Sequence, residues 1–164
     1  MRPLRFDLVV AAVLTIGAQV ELWTTDQLPD LNGGRKAWFA LGLAVMTVSV
    51  ALRRRTPLFT VVVFAGGMML LGLLVESPVD IYWMYIGLLL SVYSVGAHAP
   101  WQRSAPGLAL VVVAIEVSAD SDWLFGLVIF GAVWLAGHAV RSHRLLAEEL
   151  AQKNAELDRE RERS

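Results

Sequence analysis

No cysteine occurs among the 164 residues. Disulfides, thiolate metal sites and thiol catalysis are therefore excluded, and the redox compartment leaves no mark on the composition. Charge is scarce until the C-terminal segment, which is dense in Glu and Arg. No basic patch interleaved with aromatics is present, so nucleic acid is not an expected partner. The chain has no Gly-rich phosphate loop, no nucleophile elbow and no H-E-x-x-H. Its histidines, His98, His138 and His143, have no carboxylate motif beside them that would make a metal site, and they read as interfacial anchors. The sequence therefore offers no catalytic residue, no cofactor site and no metal ligand.

What the chain does have is apolar surface. Apolar residues make up 56% of it, more than one soluble core of this length can hide, and a bilayer supplies the missing solvent. Six apolar stretches are separated by short polar loops: residues 7–23, 37–52, 58–75, 81–97, 107–119 and 123–140. A helix rises about 1.5 Å per residue, so crossing a hydrocarbon layer takes roughly 20 residues. The fifth stretch is the shortest and carries Glu116. Met1–Arg5 is basic and precedes an apolar run, but no small-x-small cleavage site follows, so the first stretch reads as a retained signal anchor. The expected fold is an all-α integral membrane protein: a six-helix transmembrane bundle over 1–140, then a cytoplasmic helix over 141–164.

The loops orient the bundle. Arg2, Arg5, Arg53, Arg54, Arg55, Arg103, Arg141 and Arg144 fall on one side if six helices cross in sequence. The other side holds Asp26, Asp30, Glu76, Asp80, Asp120 and Asp122, with Arg35 and Lys36 as its basic residues. The positive-inside rule then places both termini in the cytoplasm of a multi-pass plasma-membrane protein, with Arg53, Arg54 and Arg55 as the main topology determinants. Trp23, Trp38, Trp83 and Trp123 all map to the outer interface, where an indole buries its ring and keeps its N–H wet. Pro57 opens the third span, and Pro100 and Pro106 bracket the connection between the fourth and fifth. Gly66 and Gly67 permit a bend or a close contact. Ala40 with Ala44, Gly87 with Ser91, and Ala132 with Ala136 are candidate small-residue packing pairs.

From Arg141 the chain reads RSHRLLAEELAQKNAELDRERERS. These are good helix formers with no Pro or Gly, so the sixth span is expected to continue unbroken. Leu146, Leu150 and Leu157 fit a heptad seam, with Lys153 and Glu160 at the remaining core positions. A polar helix this short is marginal alone in water, so pairing in a homodimeric coiled coil is expected. Within the spans, Gln19, Glu21 and Glu116 stand out, because polar and ionisable groups are expensive there. They either line an outward-facing polar pocket that senses a ligand, cation or pH, or lie hydrated at headgroup level. Asp7, beside Arg5, reads as a helix N-terminal residue.

The segments ALRRRTPLFTVVVF, SVYSVGAHAPWQR and WLAGHAVRSHRLLAEELAQKNAELDRERE resemble the N-terminal membrane module of bacterial two-component sensor histidine kinases, specifically the actinobacterial type. The resemblance implies a homodimeric sensor whose exit helices join a kinase core that acts on a response regulator. It also implies that this chain is not itself an enzyme. No phosphoacceptor histidine and no ATP-binding box occurs in it, and His143 lacks the motif that follows a phosphoacceptor. The expectation is a piece of a kinase or a free-standing sensor part. The alternative is a small membrane transport or scaffold subunit with a docking helix.

Neutralising Arg53, Arg54 and Arg55 together is expected to weaken or invert the topology. Reporter fusions at Thr56 check this, and undiminished inside signal would remove that loop as the determinant.

Overall fold

The computed structural model describes residues 2–25, 33–73, 81–119 and 123–163. Within them the chain forms six α-helices: α1 (Arg2–Thr24), α2 (Gly33–Ser49), α3 (Pro57–Gly72), α4 (Tyr82–His98), α5 (Trp101–Ala119) and α6 (Trp123–Arg163). Three are long and apolar enough to cross a membrane, over Arg5–Thr24, Gly33–Leu52 and Leu124–Arg163, while Pro57–Gly72 is a shorter apolar helix. The acidic residues assigned to the outer loops, Asp26, Asp30, Glu76, Asp80, Asp120 and Asp122, lie outside the described residues.

Helix α4 occupies the centre and touches every other helix. Around it, α1 packs on α2, α2 on α3, α3 on α5, and α5 on α6. The shared interior contains Leu14, Phe39, Phe64, Leu88, Val111 and Phe130. Helix α1 shows how the outer surface differs from that of a water-soluble fold. Its inward stripe is Asp7, Ala11, Leu14, Ala18 and Leu22, while Phe6, Val9, Val13, Ile16 and Val20 are exposed. A helix apolar on all sides belongs in a protein interior or in lipid, so the outward faces are compatible with a membrane protein.

The closest approach is between α4 and α6. A Cβ added at Gly96 would run into the Trp134 carbonyl oxygen, and one at Gly137 into the Tyr93 carbonyl oxygen. Only hydrogen at both positions lets the two backbones meet. This glycine pair was not among the packing pairs expected from sequence. Of those, Gly87 and Ser91 are buried, with Phe64 of α3 lying where a Gly87 side chain would go. Ala132 and Ala136 are exposed, so within one chain they make no interface. Gly67 faces Met46 of α2, whereas Gly66 faces open space.

The α2–α3 connection is a tight reversal. A 3-10 turn at Val50–Leu52 ends α2, the Arg55 and Thr56 amides both return to the Leu52 carbonyl, and Pro57 opens α3. Pro is suited to that first position because the N–H it lacks would have no helical partner. Pro106 behaves differently from expectation. It lies inside α5, which begins at Trp101 rather than at Gly107. Its side chain is exposed, so the ring sits on the outside of the helix.

Gly96→Ala and Gly137→Ala are each expected to destabilise the fold by about 1–3 kcal/mol, because overpacking here pushes against backbone atoms and not against a flexible side chain. Gly66→Ala serves as the control and should cost nothing. Thermal unfolding in detergent micelles followed by circular dichroism checks all three.

Candidate functional site

Polar side chains join helix to helix in three places. The first joins α1 to both of its neighbours. Residues 19 and 21 are two apart on a helix that turns about 100° per residue, so their side chains leave in nearly opposite directions. Gln19 donates its amide N–H to the Ala40 carbonyl of α2 at 2.8 Å. One turn earlier, the Thr15 and Thr47 hydroxyls meet at 2.9 Å across the same interface.

Glu21 turns the other way, to α4. Ile81 is the residue before that helix and has no side-chain oxygen to cap it, which would leave the first-turn amides unpaired. The Glu21 carboxylate supplies the cap from another helix. The Tyr82 amide donates to Oε1 at 3.1 Å and the Trp83 amide to Oε2 at 3.3 Å. A carboxylate at a helix N-terminus also meets the positive end of the macrodipole. At the same end, the Lys36 ammonium lies 5.1 Å from the centre of the Trp23 ring. Trp38 is exposed, Trp83 is half-buried, and the Trp123 side chain is outside what the structure describes. Glu116 does not join Gln19 and Glu21. It is exposed on α5, and α5 makes no contact with α1.

The second cluster corrects the reading of Asp7 as a helix-terminal residue. Asp7 is buried, at 2% exposure, because it faces the α2–α3 reversal. Its Oδ1 accepts from Arg53 Nε at 3.1 Å and Nη2 at 2.8 Å, and its Oδ2 lies 2.7 Å from Arg54 Nε. Arg53 is itself buried at 7% exposure. Arg53 and Arg54 thus form a structural tie between α1 and the α2–α3 turn, while Arg55 is exposed. The sequence carries the signal that a lone acid in an apolar stretch needs a cation. It does not say which of several arginines supplies it.

The third cluster holds α5 to α6. Trp101 and Trp134 lie with ring centroids 4.3 Å apart, and His138 packs 5.3 Å from the first and edge-on at 4.9 Å from the second. The Ser104 hydroxyl is 3.1 Å from His138 Nε2. His138 is therefore a packed, hydrogen-bonded residue, whereas His98 and His143 are exposed. Trp134 and His138 are four apart on one helix face, a pattern visible in the sequence; their partner Trp101 is not. Among the described residues no group of His, Cys, Asp or Glu is arranged to hold a metal ion.

Helix α6 leaves the bundle without interruption. It is 41 residues long, or about 60 Å at about 1.5 Å per residue, against about 30 Å of bilayer hydrocarbon. Beyond Arg141 every described side chain is exposed, including the expected seam of Leu146, Leu150 and Leu157. Lys153 pairs with Glu149 at 2.7 Å, one turn back, a local contact of a kind that adds a few tenths of a kcal/mol. No protein-family model, curated protein or solved structure matches the chain.

Asp7→Asn is expected to cost about 3–5 kcal/mol, the penalty for leaving the Arg53 charge buried without its partner. Adding Arg53→Gln should recover part of that loss. A double-mutant cycle on unfolding in detergent measures the coupling, and strictly additive losses would refute the pairing.

Proposed function

We propose that this chain is the membrane-embedded signal-input module of a two-component sensor histidine kinase, passing its state to a kinase core through α6. The observation that carries the reading is α6 itself, one continuous helix with one part packed in the bundle and the other wholly exposed. Its closest neighbour is the central helix α4, held at the Gly96–Gly137 contact. Any shift of α4 against the rest of the bundle is therefore delivered to the exit helix as a rotation or a translation. The exposed Leu146, Leu150 and Leu157 supply a seam for a second copy, and pairing of two exit helices gives such a shift something to act on.

Bilayer stress or a lipophilic compound is the favoured class of stimulus. An apolar recess of about 290 Å3 lies between α4, α5 and α6, lined by Tyr85, Leu89, Ile115, Phe125, Ile129 and Phe130. A ligand there changes signalling only if it binds one packing better than the other. A transport role would need polar groups converging near the middle of the spans, and Gln19 and Glu21 are instead engaged in holding α1 to α2 and α4. In this reading both termini and the arginine-bearing turns face the cytoplasm, where a kinase core and its response regulator reside.

Fusing the tail in register to a kinase core, and inserting one to four residues after Arg144, should make output rise and fall with helical phase, at about 100° per inserted residue. Autophosphorylation of the fusions in membranes reads this. Output indifferent to all insertions would remove the transmission claim.

A further inference from the structure

At the arginine-bearing end of the bundle a recess of about 250 Å3 opens between the α2–α3 turn, the last turns of α4 and the start of the α6 exit segment. Unlike the apolar grooves elsewhere, its wall is rich in polar groups: Arg53, Arg54, Tyr93, Ser94, His98 and Arg144. Among the described residues no carboxylate lines it. Among the described residues, the one carboxylate that reaches these guanidinium groups is Asp7, which engages Nε and Nη2 of Arg53 and Nε of Arg54. Each guanidinium has five N–H donors, so most remain free of Asp7. Three positive charges against one negative leave the recess with an excess of two, part of it on a buried residue. His98 Nδ1 lies 3.0 Å from the Ser94 carbonyl oxygen. A carbonyl only accepts, so Nδ1 carries the hydrogen.

Guanidinium groups converging from two different elements present a forked donor array that suits a tetrahedral oxyanion. The recess also sits where the apolar stretches end, the level at which a phospholipid carries its phosphate. We propose that this recess binds a phosphate group, supplied by the headgroup of an anionic phospholipid, and that the bound phosphate bridges Arg53 and Arg54 of the α2–α3 turn to Arg144 of α6. Such a bridge fastens the base of the exit helix to the bundle. Binding goes beyond the signalling role and stands without it, since it depends only on the recess and its charges.

The test is native mass spectrometry of the full chain in detergent micelles, with dioleoylphosphatidylglycerol, dioleoylphosphatidylcholine or sodium phosphate added in turn. Wild type should retain phosphatidylglycerol. Arg144→Gln and Arg54→Gln should each weaken retention by about tenfold or more, as expected for a hydrogen bond to a charged group. Arg144 is exposed and Arg54 can be lost with the Arg53–Asp7 pair intact, so neither variant need unfold the protein. Lys153→Gln removes the same charge further along the exposed helix and should change nothing. Retention that falls in the two arginine variants and not in Lys153→Gln supports the site, and the probe retained tells a lipid headgroup from free phosphate. No retention by wild type, retention that the arginine variants leave intact, or an equal fall in Lys153→Gln overturns it.

Discussion

The backbones of α4 and α6 meet at Gly96 and Gly137, and the rest of the assembly is organised around that contact. Helix α4 is the one element that touches all the others, and α6 is the one that leaves. With hydrogen in place of a side chain at both positions, no flexible group lies between the two helices to absorb displacement. Packed interiors of this density transmit strain and do not damp it. The Trp101–Trp134–His138 cluster repeats the arrangement on the neighbouring face of α6, tying it to the start of α5. The exit helix is therefore anchored on two sides along the stretch just before it emerges.

The polar residues of the helices do different work at the two ends. At one end Glu21 finishes α4 by capping amides that Ile81 leaves bare, and Gln19 fastens α1 to α2. At the other, Asp7 draws the α2–α3 turn onto α1 through two arginines. Each of these groups has an identified partner, which is what makes an ionisable or amide side chain tolerable among apolar surfaces. Glu116 is the contrast: it is exposed on α5, away from Gln19 and Glu21. The three polar residues that stand out in the sequence thus form two helix–helix ties and one surface group, not a common pocket.

Local physics made much of the architecture legible. The continuation of α6 beyond Val140 is legible because the segment from Arg141 has no Pro or Gly and consists of good helix formers. The start of α5 differs from the sequence-based expectation for a related reason. Pro106 points to the edge of a connection, yet the helix runs through it from Trp101 with the ring outside. Proline marks where a helix is costly, and burial of Ser104 beside His138 shows that tertiary contacts hold the turn before it. Trp134 and His138 share a face that spacing could reveal, but nothing in spacing points to Trp101.

By itself the sequence determined the all-helical character, the placement of apolar stretches, the arginine-bearing turn and the continuous polar tail. These follow from hydropathy and propensity, which act over a few neighbouring residues. Only the tertiary structure decided that Asp7 pairs with Arg53 and Arg54, that Glu21 caps α4, that Gly96 meets Gly137, and that three arginines share one recess. Those partners lie dozens of residues apart in the chain. Several chemically equivalent candidates compete for each role, and three-dimensional packing alone selects among them.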